Sequence, residues 1–356
     1  MALEPIPVGD VGGSLGARSR HCLITGSSGF IGAHLVRRFR QFGWNVRGIG
    51  RRVLDAPGYE YISHDLGNSL PSTVDRPVDV VIHAAARSNP WGTRAEFERD
   101  NVDATRHVID FCLRNGWPGD KSGIQSTRLP RLVYISSSSV CYRPQHQIGV
   151  TEETPLPDRA VNLYAATKRE AERLVESYPG PWVILRPRAV FGPGDTVLLP
   201  RIIRAAQEGR LPLLYAPGSP VVGDLIYTDN LVDAVQASAE SDSVSGVFYL
   251  TNDEPVPILD FLMDVFDRLG IPRPTRRVSA RTAMLAAGCL EAFHHLFRPR
   301  VEPAVTRFGV HVFRYSKTFD VSKAKRVLGP PRVPLSIGLE RTVYWFRTEL
   351  ERTVPR

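Results

Sequence analysis

Residues 163–174, LYAATKREAERL, hold a tyrosine and a lysine four positions apart. Ala171, Leu174, Val175 and Tyr178 recur at helical spacing, which predicts a helix packed by one face, with Tyr164 and Lys168 on a common side of it. Two readings follow: an ordinary i, i+4 surface pair, or a phenol working as acid/base beside the cation that tunes it. The spacing alone leaves both open.

A second candidate is LITGSSGFIG, where Gly26, Gly29 and Gly32 follow an apolar run and open a helical one, with Ser28, Phe30 and Ile31 between them. Glycines there let the backbone turn tightly and approach a pyrophosphate, whose charge is met by free N–H groups and the helix dipole. Adenosine specificity is read at the end of the next strand, where a carboxylate would bind the free ribose hydroxyls of NAD. This chain reads VRGIGRR, with Gly50 where the acid could stand and Arg51 and Arg52 just beyond. Two guanidinium forks and no carboxylate suit a 2′-phosphate, so NADP(H) is expected ahead of NAD(H). Asp65, followed by Leu66 in SHDL, could bond the adenine amino group or serve as a local cap.

The elements that must carry these residues alternate. Apolar runs HCLITG, WNVRGIG, VDVVIHAAA, RLVYISS and PWVILRP are interleaved with predicted helices over 31–42, 95–113 and the Tyr164 segment. Near-continuous apolar strands separated by helices predict an α/β fold, a doubly wound parallel sheet covered on both faces. Past Pro187 the pattern breaks into proline-rich pieces with helices over 199–208, 259–269, 280–297 and 335–349. The expected organisation is a tail over 1–19, a cofactor domain over 20–195 to which 225–252 returns, and a smaller, mostly helical substrate domain from 196–224 and 253–350. Residues 115–131 form a long polar loop with no assigned role.

At 356 residues, 42% hydrophobic and 23% charged, the chain has the composition of a soluble globular protein. A net charge of +8 favours anions: a phosphorylated cofactor, an acidic substrate or a membrane surface. Lysines and arginines are dispersed without interleaved aromatics, which argues against nucleic acid. No run approaches the roughly 18 apolar residues of a membrane span. Cys22, Cys112, Cys141 and Cys289 lack metal spacing and sit in apolar contexts, as buried thiols of a reducing, cytoplasmic compartment would; no metal site is expected.

TGSSGFIG, HAAA at 83–86, ISSSS at 135–139, YAATK and RPRAVFGPGD together resemble the extended short-chain dehydrogenase/reductase family from residue 20 onward. The resemblance implies a Rossmann-type NAD(P)-binding domain with a smaller carboxyl-terminal substrate domain, and commonly a homodimer. It makes Tyr164 the general acid/base, with Lys168 binding the nicotinamide ribose and lowering the phenol from its ordinary pKa of about 10. The family's serine-x-x-Val pattern selects Ser137 as the hydroxyl on the reacting carbonyl, with Ser136 and Ser138 as runners-up. By the same resemblance Ala84 and Ala85 line the adenosine and ribose, Pro187 and Val190 meet the nicotinamide carboxamide, and Asn101 orders the central helix.

Nucleotide-sugar members resemble one another in R-x-x-N-x-x-G-P and in an arginine before the late strand; here Ala189 and Gly223 stand at those places. FDVSKAKRVLG and GLERTVYWF instead resemble the 3β-hydroxysteroid dehydrogenase branch, and within it the bacterial reductases of 2-alkyl-3-ketoalkanoic acids. That implies a hydrophobic small-molecule substrate, carboxylated in some members. Ser88, Ser138 and Arg188 are the candidate substrate contacts, Arg188 pairing with a carboxylate or, alternatively, with a surface acid. The 280–297 helix has a broad apolar face interrupted by Glu291, His294 and His295, open to reading as a core or dimer helix, a lid, or an interfacial anchor.

Overall fold

A computed structural model describes residues 19–55, 58–89, 91–117, 128–215 and 220–353. Nearly all of the expected 1–19 tail, and most of the 115–131 loop, lie outside them.

Seven parallel strands form one sheet, in the order Gly246–Leu250, Trp182–Pro187, Arg131–Ile135, Val80–His83, His21–Thr25, Asn45–Gly50, Glu60–Ser63. Side chains of successive strand residues point to opposite faces. Leu23, Val81, Leu132 and Ile184 join one buried cluster, while Cys22, Ile24, Val80, Ile82, Val133, Val183 and Leu185 join the other. Both faces need covering, and helices cover both, so the strands read as unbroken apolar runs rather than alternating ones. Strand order reverses between His21–Thr25 and Val80–His83, which opens a crevice at the carboxyl ends of the strands.

The single helix expected over 95–113 is three pieces: an α-turn Arg94–Phe97, a wide π-helical turn Glu98–Asp103 and an α-helix Ala104–Arg114. A capping box starts it, Glu96 N–H donating to Thr93 Oγ1 and Thr93 N–H to the Glu96 carboxylate. The π-turn admits the buried Asp100 and Asn101.

A four-stranded sheet, Val256–Pro257, Val222–Gly223, Lys317–Phe319 and Gln147–Val150, lies outside the large one. Its last strand comes from the first half of the chain. Beside it Phe191, Leu199, Phe261, Leu262, Phe266 and Leu339 share a separate core. Cys22, Cys112 and Cys141 are buried, but Cys289 is exposed on the Ala280–Phe297 helix, against expectation: it lies four residues after Leu285 and four before Phe293, on a face that no described residue covers.

Candidate active site

The crevice begins at the turn between His21–Thr25 and the Phe30–Gln41 helix. Gly26 has φ of 68°, and a Cβ there would lie 2.9 Å from the backbone of Ala85. A Cβ on Gly32 would lie 2.1 Å from Gly26 O, so the helix can start against the loop only without a side chain. The helix opens on Gly29 with no side-chain cap and no acid in its first turn, which leaves its N-terminal N–H groups to an external anion. That cradle fits a dinucleotide pyrophosphate.

The crevice is lined by Gly26, Ser28, Gly29, Phe30, Ile31 and Gly32, then by Arg51, Arg52, Asp65 and Leu66 at the adenosine end. Ala84, Ala85, Ser88, Ser137, Tyr164, Lys168, Pro187 and Val190 line the remainder. The structure thus brings together every expected cofactor and catalytic residue. Two substrate candidates are not among the lining. Ser138 is buried, its carbonyl accepting from Cys141 Sγ, and Arg188 directs its side chain away while Pro187 and Ala189 face in.

At the adenosine end, a Cβ on Gly50 would lie 2.5 Å from Ser28 Oγ and 2.8 Å from the Tyr61 hydroxyl. A side chain there would have to displace the Ser28 and Tyr61 hydroxyls. Arg52 donates to Ser28 O at 3.2 Å, and Arg51 lies 3.6 Å from the buried Asp100, whose carboxylate also meets Arg87 at 3.0 Å. Asp65 already accepts from Gly67 N–H and Arg99, the local-cap alternative for that residue.

Tyr164 and Lys168 stand on the Leu163–Glu176 helix, started by Asn162, whose side chain accepts from Ala165 N–H at 2.8 Å. Both face the crevice. Burial pushes the Tyr164 pKa upward, with the neighbouring Ser137 hydroxyl opposing. Lys168, 1% exposed, donates to Ile135 O at 2.7 Å and lies 4.2 Å from the centre of the Tyr134 ring. Burial brings it down to about 7, with Glu172 opposing. The expectation that Lys168 lowers the Tyr164 pKa is therefore not met here: the ammonium is held by a backbone carbonyl, and desolvation governs the phenol.

The serines are separated by their partners. Ser136 donates to Glu172 at 2.5 Å and is committed to a buried network with Arg186 and Tyr249. Ser137, the expected one, lines the crevice and accepts from Ser139 N–H and Oγ.

A buried chain links the parts. Ala85 N–H donates to Thr25 Oγ1, which bonds His83 Nδ1 at 2.7 Å; His83 Nε2 meets Thr105 Oγ1, and that hydroxyl donates to Asn101 O. Asn101 then accepts from Arg87 N–H and donates to Thr167, next to Lys168. With Thr105 donating onward, His83 carries its proton on Nε2, and burial holds it neutral with a pKa of about 3. Asn101 thus ties the Glu98–Asp103 turn to the Leu163–Glu176 helix. Sequence reasoning missed Asp195, which lines the crevice and caps the Leu199–Gln207 helix through three backbone N–H groups. An aspartate four residues ahead of an apolar helix in GPGDTVLLP was a legible signal.

Arg188 has no ion pair among the described residues, and its Nε is buried without a partner. Asp224, Tyr142, Cys141 and the cationic Lys317 are within its electrostatic reach, and burial lowers its pKa.

Residues 22–249 match the NAD dependent epimerase/dehydratase family. The 2-alkyl-3-oxoalkanoate reductase of Stenotrophomonas maltophilia is 32% identical over 90% of this chain and 97% of that protein. The one from Shewanella oneidensis is 29% identical over 92% and 87%. The 3beta-hydroxysteroid-dehydrogenase/decarboxylase isoform 1 of Arabidopsis thaliana is 30% identical over 92% and 80%. Among solved structures, MoeE5 in complex with UDP-glucose and NAD superposes with a TM-score of 0.71 at 26% identity, covering 93% of this chain and 99% of that one.

Proposed function

The chain belongs to the NAD dependent epimerase/dehydratase family, an NAD(P)-dependent enzyme of the extended short-chain dehydrogenase/reductase type; from that premise we propose that it interconverts a ketone and a secondary alcohol on a hydrophobic, carboxylated substrate, with NADP(H). The substrate is of the 2-alkyl-3-keto acid or 3β-hydroxysteroid type, in keeping with the names of its sequence relatives. Residues 20–195 with 225–252 carry the cofactor, and the remainder encloses the substrate.

When bound, the nicotinamide supplies the hydride. Tyr164 gives its proton to the carbonyl oxygen in reduction and takes it back in oxidation, and Ser137 hydrogen-bonds the same oxygen. Lys168 holds the cofactor ribose and offers positive charge on the crevice side of the helix. Arg51 and Arg52 meet the 2′-phosphate. Ser88, which lines the crevice, belongs to the substrate side, whereas Ser138 and Arg188 do not line it and take no substrate contact in this reading. The observation that carries the reading is that Ser137, Tyr164 and Lys168 line one crevice with the glycines that fit a pyrophosphate.

A second reading, a nucleotide-sugar epimerase or dehydratase, has the MoeE5 likeness in its favour. Against it, Ala189 and Gly223 stand where such members carry asparagine and arginine. NADPH oxidation, with NADH alongside, measured against 2-alkyl-3-keto acids, keto-steroids and nucleotide sugars separates the two. Consumption with the first or second class is expected. Conversion of a nucleotide sugar without net cofactor use would replace the first reading by the second.

A further inference from the structure

The Ala280–Phe297 helix is tethered by its inner face. Ala283 and Ala287 are buried beside Val310, and Glu291 accepts from the Arg307 backbone at 2.7 Å and side chain at 2.6 Å. The outer face is apolar and open. Leu285 is 73% exposed, Phe293 48%, Leu296 74% and Phe297 66%, and Val301 just beyond is 51%. Leu285, Cys289, Phe293 and Phe297 recur every fourth residue, so they make one stripe.

Charge frames this stripe with a single sign. Arg276, Arg277 and Arg281 are exposed at its start and Arg298 and Arg300 at its end. Over residues 276–300 the only acid is Glu291, buried and paired. The basic frame argues against a second copy of this chain as occupant. Antiparallel pairing of two such helices would set Arg281 against Arg298 and Arg300 of the other, and parallel pairing would set each arginine group on itself. Neither arrangement supplies an acid. An anionic lipid surface satisfies both features, taking the apolar stripe among its acyl chains and the guanidiniums among its headgroups.

We propose that the Ala280–Phe297 helix docks this protein on an anionic bilayer, lying in the interface with Leu285, Phe293, Leu296 and Phe297 inserted. No helix among the described residues is long and apolar enough to cross a membrane, so contact is one-sided. The patch adjoins the active site: the His295 ring lies 4.4 Å from Trp91, and Arg300 lies 3.8 Å from Glu96, both on the segment that follows Ser88. Docking there brings the crevice mouth to the phase in which a lipophilic substrate is dissolved.

The test is co-sedimentation of the full chain with vesicles of phosphatidylcholine alone or with phosphatidylglycerol added. Binding to the anionic vesicles is expected, weakening as salt rises. The Phe293→Ser/Leu296→Ser/Phe297→Ser variant should lose about tenfold or more in affinity while keeping its melting temperature and its turnover of a water-soluble ketone. Arg281→Gln with Arg298→Gln should also weaken binding and flatten its salt dependence. Absence of binding to anionic vesicles at low salt overturns the proposal, as does binding that the triple variant leaves unchanged. Self-association in sedimentation velocity that the triple variant abolishes, without vesicle binding, would assign the patch to a second copy. Each of these outcomes is independent of which ketone the active site reduces, so it leaves the function proposed above standing.

Discussion

Arg186 and Glu172 meet in a bidentate buried ion pair, Nε to Oε1 at 2.8 Å and Nη2 to Oε2 at 2.7 Å. The pair joins the strand Trp182–Pro187 to the helix that carries Tyr164, and it also receives Ser136. Removing one partner leaves the other charged and dry. Arg186→Met and Glu172→Gln should each cost about 3–5 kcal/mol in urea unfolding, whereas the double variant should cost less than the sum. Additive losses would show that the two do not act as a pair.

The proposed preference for NADP(H) rests on Arg51 and Arg52, which line the crevice beside Gly50. Charge-assisted bonds to a 2′-phosphate contribute about 1.5–3 kcal/mol each. Arg51→Ala/Arg52→Ala should therefore lower kcat/KM for NADPH by roughly a hundred- to ten-thousandfold and leave that for NADH within about twofold. Equal losses with both cofactors would assign the arginines to structure, since Arg52 also bonds Ser28 O.

Lys168 gives stability a pH slope of known sign. In the folded chain burial brings its pKa to about 7, and unfolded it returns to about 10.4. Between those values the unfolded chain binds a proton that the folded chain does not, so stability rises with pH across that window. Lys317, also brought to about 7 by burial, adds a slope of the same sign. Urea-unfolding free energies of the parent should therefore climb relative to Lys168→Met from about pH 7 to about pH 10. A parent that falls relative to the variant would contradict the downward shift that burial imposes on Lys168.

Ala189 has φ of 45°, in the left-handed region where a Cβ crowds the following carbonyl. Its carbonyl accepts from Ile226 N–H, so the conformation is fixed by the strand beside it. Ala189→Gly should raise stability by about 0.5–1 kcal/mol, the relieved strain exceeding the added freedom of the unfolded chain. Destabilisation in thermal unfolding would show that the methyl group packs rather than strains.

The parts of this site that could be read from sequence are those whose chemistry is local. Gly26, Gly29 and Gly32 sit in one turn, Tyr164 and Lys168 in one helical turn, and the arginines directly after a strand. Alternating strands and helices then fix where those local pieces meet, because parallel strands present all their carboxyl ends at one edge. What sequence could not show depends on pairing across the chain. Glu172 and Arg186, Asp100 with its arginines, and the strand Gln147–Val150 beside Lys317–Phe319 are partners only in three dimensions. The same limit explains the 280–297 helix: periodicity identified an apolar face but not whether anything covers it, and Glu291, expected as an interruption of that face, is the residue that points inward. The fate of Lys168 was hidden for a related reason. Four-residue spacing puts it near Tyr164, yet its amine donates its hydrogen bond to the carbonyl of Ile135, on a neighbouring strand.

The central claim is that the Tyr164 phenol moves the proton. The direct measurement is single-turnover ketone reduction by Tyr164→Phe, with NADPH affinity measured on the same sample by fluorescence. The account predicts a rate roughly a hundred- to ten-thousandfold below the parent's, with cofactor affinity within about twofold. A rate near the parent's, on protein that binds NADPH normally, would contradict it.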